Sequence, residues 1–362
     1  MLDVITNGRG KVNLKNHIIA EWILSGIFLV FLPSYAAAYS QPDEGFGKSY
    51  IVFPIVSSNS DTGTAYGLFY LSRQLSTSVL CNNEGNSMFF INNRCYFDDG
   101  RFLLSSSAIW RNWSSTFYGI GNENFATPGE DYTGETSQFA CSFLMKFGKG
   151  VYLGPAVTAA RYSVSDKESG GQLAEGTIIG CDGADAVGIG LRLMSDQRDD
   201  PGFPTEGSLL DMKTIFYDPD YGSDQKLSQS SATYSKFIPV AVGGVLVFQG
   251  RIVYTHGDDI PFQLLPSLGD MGVMRGIEVN KDINRNLAAV SGDYRFHIAQ
   301  PLTGGIFVAV GDVAHSLHEV KMDKFAGGFE IHYNFMGPFK IYFIRGFSDH
   351  DAISYCGLNA GF

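Results

Sequence analysis

Leu-Val-Phe-Gln-Gly-Arg-Ile-Val-Tyr, residues 246–254, alternates between apolar and polar side chains. In an extended chain one face would carry Leu246, Phe248, Ile252 and Tyr254, and the other Gln249 and Arg251. Residues 291–298 repeat the pattern, with Asp293, Arg295 and His297 opposite Tyr294, Phe296 and Ile298. Aromatic residues on one face and ionisable groups on the other are typical of a strand between lipid and a wet lumen.

Similar short segments, rich in Val, Ile, Phe, Tyr and Thr, fill the chain from Tyr50 onward, and none of helix length has a period of 3.6 residues. The predicted strands are 49–57, 64–71, 75–82, 88–97, 101–113, 137–147, 151–165, 185–197, 208–217, 229–238, 245–255, 288–299, 304–312, 327–335, 339–347 and 353–362. An even number of strands places both chain ends in the periplasm. The pattern therefore predicts an all-β fold, a 16-stranded antiparallel transmembrane β-barrel.

The connections between the predicted strands fall into two classes. Short ones occur at 98–100, 148–150, 301–303 and 336–338, and long polar ones at 114–136, 167–183, 218–228, 256–287 and 313–326. Short turns at one end and long loops at the other are the layout of an outer-membrane barrel.

Composition supports this class of protein. The chain has 362 residues, of which 17% are charged and 14% aromatic, and its net charge of -11 argues against a nucleic-acid partner. Five cysteines are too few for a disulfide scaffold. Cys81 and Cys95 could oxidise across a hairpin, but with Cys141, Cys181 and Cys356 also present the sequence does not decide any pairing.

The N-terminus has the order of a secretory signal peptide. Lys11 and Lys15 precede an apolar run at 22–32, and Ala36-Ala37-Ala38 then offers an A-x-A cleavage site. The alternative is an uncleaved anchor helix, although the apolar run is shorter than the roughly 20 residues of a membrane span. We expect a signal peptide at 1–38, a short periplasmic segment at 39–47 and the barrel at 48–362.

A series of motifs in the C-terminal half resembles a known family. Gly188 to Leu193, followed by Asp196, Arg198, Pro204 and Gly207, looks like the strand-turn signature of the BamA/TamA superfamily, also called the bacterial surface antigen family. Met274-Arg275-Gly276-Ile277 matches the tip of that family's sixth extracellular loop, which folds back into the barrel. The segments 293–296 and 304–311 resemble its next two strands, 117–122 is similar to a loop of patatin-linked barrels, and Phe362 fits the last-strand assembly signal.

The resemblance implies that Arg275 enters the lumen, where an unpaired cation would be costly. Asp293, on the luminal face of the next strand, is the expected partner. The family has a second carboxylate where this chain has Ala309, and Asp312 could replace it only if a bulge turned it inward. The alternative is that 274–276 is simply an exposed loop tip.

The resemblance also bears on function. Family members that assemble or translocate proteins carry periplasmic docking (POTRA) modules of about 75 residues, and we expect none before strand one. No G-x-S-x-G nucleophile elbow occurs, and neither an enzyme nor a cofactor is predicted.

We expect a protein of the Gram-negative outer membrane that takes part in inserting or translocating proteins or lipids. Its expected partners are outer-membrane lipids and a periplasmic or outer-membrane protein that replaces the docking module. A passive pore and a surface antigen with partner-binding loops are the alternatives.

Other candidate sites are weaker. His315, His318 and Glu319 share a loop, but no further His or Cys cluster completes a four-ligand site, so a solvated loop is favoured and no metal is predicted. An outer-membrane phospholipase would need a nucleophile that no spacing singles out.

Overall fold

The computed structural model of the chain describes residues 50–59, 63–72, 75–123, 128–240, 243–336 and 339–360. The predicted signal peptide at 1–38, the segment at 39–47 and the terminal Phe362 lie outside these residues.

The described residues form one 16-stranded sheet, which confirms the predicted fold class. The strands are β1 Tyr50–Asn59, β2 Gly63–Ser72, β3 Leu75–Asn82, β4 Ser87–Phe97, β5 Phe102–Phe117, β6 Glu130–Gly148, β7 Val151–Ser165, β8 Gly183–Asp196, β9 Gly207–Tyr217, β10 Leu227–Val240, β11 Gly244–Gly257, β12 Asn286–Ala299, β13 Leu302–Ala314, β14 Lys324–Met336, β15 Phe339–Ser348 and β16 Ala352–Ala360. Each strand pairs antiparallel with the next one along the chain, as in an up-and-down barrel.

The first and last strands meet at a seam. Cα atoms of β1 and β16 come within 8 Å of each other, but no backbone ladder joins the two strands among the residues that the structure describes. Two strand edges whose N–H and C=O groups join no shared ladder within residues 50–59 and 352–360 therefore face each other at this point.

Alternation along the strands separates an apolar outer face from the lumen. Val308 and Leu191 on the outer face are 69% and 59% exposed, whereas Val247, on the luminal face of β11, is fully buried. Large apolar side chains exposed in this regular way suit contact with lipid tails. No helix in the described part of the chain is long and apolar enough to cross a bilayer.

The largest departure from the predicted boundaries is at the third loop. Strand β5 continues to Phe117 and β6 begins at Glu130, so the predicted connection at 114–136 is reduced to 118–129. Pairing of Ser114 with Thr133 and of Phe117 with Glu130 extends this hairpin. Most of the added residues are polar because the hairpin rises beyond the apolar band, and regular apolar alternation could not reveal them.

Three connections enter the site described below. They are the third loop (118–129), the sixth loop between β11 and β12 (258–285), and the fourth turn between β8 and β9 (197–206). The third and sixth loops lie at one end of the sheet, and the fourth turn lies at the other. The fourth loop, at 166–182, contains the four-residue helix α1, Gln172–Glu175.

Candidate functional site

The sixth loop folds into the barrel and packs against strands β11 to β14. Its residues Leu268, Val273, Met274 and Ile277 form one buried cluster with luminal side chains of these strands. The strand residues of the cluster are Val253, Leu287, Ala289, Ala309, Val313 and Ala326. Burial of each large apolar side chain contributes about 1.5–3 kcal/mol, so the loop is anchored by packing before any charge is considered.

At the tip of the loop, Arg275 is almost wholly buried, with 4% of its surface exposed. Its Nη2 donates to Oδ2 of Asp293 on β12 at 2.7 Å, and its Nη1 donates to Oε2 of Glu330 on β14 at 3.1 Å. The guanidinium also lies over the ring of Phe307, with its Cζ 4.0 Å from the ring centroid. Two carboxylates and an aromatic face compensate the lost hydration of the cation.

Glycines on the neighbouring strands make room for this arrangement. A Cβ on Gly305 would lie 2.6 Å from Cγ of Glu330. A Cβ on Gly328 would lie 2.8 Å from Cζ of Phe307 and 2.0 Å from the carbonyl oxygen of Arg345. The two glycines let a carboxylate and an aromatic ring lie flat against the barrel wall.

Gly276, beside Arg275, has two structural reasons to be glycine. Its φ of +119° is in a region that L side chains rarely adopt. A Cβ there would also lie 2.7 Å from the backbone nitrogen of Phe347 on β15. The loop backbone therefore lies directly against the backbone of a barrel strand.

Glu330 is the second carboxylate that pairs with Arg275, and the sequence did not identify it. Ala309, where the family has a second carboxylate, packs in the apolar cluster with Met274. No bulge interrupts the β12–β13 register between Ala309 and Asp312, so Asp312 lies on the opposite face of β13 from Ala309. Asp312 does not reach Arg275, and its Oδ1 accepts from Nδ2 of Asn122 at 2.9 Å. The sequence signal for Glu330 is its position as the lone acidic residue in a strand that alternates with Phe329, Ile331 and Tyr333.

The third loop also holds the sixth loop in place, through hydrogen bonds between the two loops. The amide of Gly121 donates to the carbonyl of Ile283 at 2.9 Å, and Oη of Tyr118 donates to Oε1 of Glu278 at 2.9 Å. These contacts come from the segment 117–122, whose only sequence signal was its similarity to a loop of patatin-linked barrels. The loop base is also tied by Lys281, whose Nζ donates to Oδ1 of Asp351 at 2.5 Å.

One carboxyl in the sixth loop is poorly compensated. Asp282 is buried, its Oδ1 has no hydrogen-bond partner among the described residues, and its Oδ2 lies 3.8 Å from Nζ of Lys324. Burial raises the pKa of Asp282 above its ordinary value, although Lys324 and Lys281 act in the opposite direction.

The fourth turn holds the residues of the predicted turn signature. Arg198 donates to both carboxylate oxygens of Asp196, at 2.8 and 2.7 Å, and to the carbonyl of Pro201 at 2.8 Å. Pro204 is buried, and Gly207 has a φ of +102° that closes the turn onto β9. The signature thus forms a compact folded turn at the end of the barrel opposite the third and sixth loops.

Asp199 completes this turn through hydrogen bonds. Its carboxylate accepts from the amide of Thr205 at 2.9 Å and from the amide of Glu206 at 3.1 Å. Burial works to raise the pKa of Asp199, but hydrogen bonds from Thr205 and Glu206 outweigh it and hold the pKa below its usual value.

Phe203 of the fourth turn lies in the lumen. The sequence did not predict this position. The Nζ of Lys340 lies 3.1 Å from the centroid of its ring, and Cζ of Arg295 lies 5.4 Å from it. Arg295 in turn donates through Nε to Oε1 of Glu330 at 3.1 Å. A chain of contacts therefore runs from the fourth turn at one end of the barrel, through Arg295 and Glu330, to Arg275 of the sixth loop.

The remaining candidates form no site in the described part of the chain. Glu319 accepts from the amide of Ser316 at 3.0 Å and caps a short 3-10 turn that also contains His318. No group of three or more His, Cys, Asp or Glu side chains is placed to hold a metal ion among the described residues. Cys81, Cys95, Cys141 and Cys181 are free thiols.

Comparison with known proteins identifies one matching family and several structures of similar fold. The Omp85 superfamily domain matches residues 71–327 of the chain. The fold is similar to that of BamA from Haemophilus ducreyi lacking POTRA domains 1–3, with 15% identity and a TM-score of 0.56, over 86% of this chain and 70% of that one. No curated protein sequence matches the chain.

Two further solved structures share the fold. CdiB from Acinetobacter baumannii is 12% identical with a TM-score of 0.51, over 87% of this chain and 60% of that chain. CdiB from Escherichia coli is 11% identical with a TM-score of 0.56, over 89% of this chain and 64% of that chain. The chain thus spans less than two thirds of the length of either CdiB.

Proposed function

The chain belongs to the Omp85 superfamily, and from this membership we propose that it inserts proteins into, or moves them across, the outer membrane of a Gram-negative bacterium. The role is that of a conduit and insertion scaffold and not of an enzyme. Lipids of the outer membrane surround the barrel, and a periplasmic or outer-membrane protein partner delivers the cargo.

The observation that carries the proposal is the seam between β1 and β16. Backbone N–H and C=O groups inside hydrocarbon cost several kcal/mol each when unpaired. An edge of this kind favours pairing with another strand, as in other cases of β-strand addition. A cargo strand added at the seam would satisfy those groups while it enters the bilayer.

The docked sixth loop supports the same proposal by keeping the rest of the barrel rigid. It joins β11 to β15 through packing, through the Arg275 ion pairs and through the contact of Gly276 with Phe347. Strain during insertion would then be concentrated at the seam, where no ladder joins the described residues of β1 and β16.

Depletion with complementation tests the role in cells. The chain is placed under a repressible promoter, and the outer-membrane proteome and lipids are quantified after its loss. The proposal expects at least one outer-membrane or secreted protein to fall in abundance and to recover when the wild-type chain is returned. An unchanged proteome and lipid composition would contradict the proposal.

Cysteine pairs across the seam test the mechanism. One cysteine is placed in β1 and one in β16, in a background where the native cysteines are replaced by serine. Oxidation should abolish complementation by seam-locked variants, and reduction should restore it. A pair placed across the continuous β6–β7 ladder, at Gln138 and Ala160, serves as the control that should complement in both states. Full function with a locked seam would argue against insertion at this site.

A further inference from the structure

The part of the lumen lined by β5 to β10 contains a polar cavity. Its volume is about 400 Å³. The cavity is lined by hydroxyl groups of Ser105, Ser107, Ser142, Thr158, Ser231 and Thr233. Hydroxyls can donate or accept, so this wall suits a hydrated or hydrogen-bonding ligand of either sign.

The charged residues of the cavity determine whether it favours an anionic or a cationic ligand. They are Arg192, Asp211 and Lys213. Arg192 and Asp211 neutralise each other in a bidentate pair, with Nε to Oδ1 at 2.9 Å and Nη2 to Oδ2 at 2.6 Å. Lys213 forms no ion pair or hydrogen bond with any other residue in the described part of the chain. The three groups therefore leave one net positive charge at the cavity, on Lys213, because its neighbour Asp211 is already paired with Arg192.

Neighbouring residues on the same inner wall add to the positive charge. Arg94 lies opposite Ser105 in the β4–β5 register, and Ser105 itself accepts a hydrogen bond from Nη1 of Arg192 at 3.2 Å. Arg111 donates through Nε to Oγ1 of Thr136 at 3.3 Å and enters no ion pair among the described residues. This positive wall occurs in a chain whose net charge is -11, so it does not follow from overall composition.

We propose that this cavity binds a small oxyanion, a phosphate or a carboxylate, at Lys213. The ammonium group supplies a charge-assisted hydrogen bond. The hydroxyl of Ser231, which lies opposite Lys213 in the β9–β10 register, and that of Thr233, two residues further along β10, supply neutral ones. The bound anion neutralises Lys213, which otherwise loses part of its hydration inside the barrel. The inference is independent of cargo insertion, because β1 and β16 do not line the cavity.

Thermal unfolding in detergent with inorganic phosphate as the probe tests the proposal. Ionic strength is held constant with sodium chloride, so that only the specific anion changes. A ligand that binds the folded state raises the unfolding midpoint as its concentration increases. We expect a rise for the wild-type barrel, for Lys213→Arg and for the control Lys149→Gln in the exposed β6–β7 turn, and no rise for Lys213→Gln.

A second variant addresses the case in which Lys213→Gln does not fold. Thr233→Val keeps the shape of the side chain and removes one hydroxyl, and it should need about tenfold more phosphate for the same rise in midpoint. No rise in the wild-type barrel above the chloride control would overturn the proposal. Equal phosphate responses of the wild type, Lys213→Gln and Thr233→Val would overturn it as well, since the anion would then bind elsewhere.

Discussion

Arg275 and Glu330 are 55 positions apart in the sequence and form a buried ion pair of 3.1 Å. Glu330 also accepts from Arg295 at 3.1 Å, so one carboxylate serves two guanidinium groups. Glu330 thereby joins the tip of the sixth loop to the wall of the lumen. It lies on β14, whereas the sequence predicted a partner for Arg275 on β12.

Glu330→Gln keeps the shape of this side chain and removes its charge. Arg295 would lose its carboxylate and Arg275 would keep only Asp293. Breaking a buried ion pair on one side costs about 3–5 kcal/mol, so the unfolding midpoint of the purified barrel should fall clearly. The exposed residue Glu175 on α1 provides a control, and Glu175→Gln should leave the midpoint unchanged. Equal midpoints for the two variants would show that Glu330 carries no net interaction.

Gly276→Ala should release the loop tip from β15. The substitution combines an unfavourable φ with a Cβ placed 2.7 Å from the nitrogen of Phe347. Gly85→Ala is a matched control, because Gly85 has a φ of +87° but nothing within 4 Å of its Cβ position. We expect the control to lose about 1–2 kcal/mol from backbone strain alone.

Gly276→Ala should lose more than this control and should expose the sixth loop to protease. If both variants behave alike, the close contact between the loop and the strand is not present in solution.

Phe203→Ala tests the contact of the fourth turn with the lumen. Loss of the ring removes the surface under Lys340 and Arg295, and each cation–π contact is worth about 0.5–2 kcal/mol. The turn should then be cleaved faster by a protease added from the periplasmic side. Phe147→Ala, which truncates an exposed ring on the outer surface, should not change the cleavage rate. A turn that is cleaved equally fast in wild type and variant would mean that Phe203 does not hold it in place.

The strand pattern could be predicted from the sequence because each membrane strand has its own signal. Phe248, Ile252 and Tyr254 face outward, as the alternation of residues 246–254 requires. The same reasoning ended β5 too early, because Ser114 and Ser115 pair above the apolar band where no apolar side chain marks a face. Alternation reports the environment on each side of a strand, and it fails above the apolar band, where Phe117 and Tyr132 pack against the sixth loop and no outer apolar face remains.

The site could be predicted only in part. Arg275 and Asp293 are adjacent in the fold because consecutive elements of a barrel are neighbours. Glu330 and Phe203 join them from a strand two places further on and from a turn at the other end of the barrel. Contacts of that kind depend on how far each side chain reaches across the lumen, and neither spacing nor periodicity encodes this.

Asp282→Asn tests the electrostatics of the sixth loop. Because the pKa of Asp282 is raised in the folded protein, the folded state holds a proton to higher pH than the unfolded chain does. Stability should therefore decrease as pH rises through the interval between the ordinary aspartate pKa and the raised one. Asp282→Asn should remove this decrease and raise the unfolding midpoint at neutral pH. A lower midpoint for the variant at neutral pH would mean that the ion pair with Lys324 outweighs burial.

The most direct test of the docked sixth loop is heat modifiability of Arg275→Ala on a semi-native gel. Folded barrels resist detergent until heated, and the temperature at which the folded band is lost reports the anchoring of the loop. Arg161→Ala, which removes an arginine that is 73% exposed in its side chain, controls for loss of an arginine as such. We predict that Arg275→Ala loses the folded band at a lower temperature than wild type and Arg161→Ala. Identical transition temperatures for all three proteins would contradict a sixth loop fastened in the lumen through Arg275.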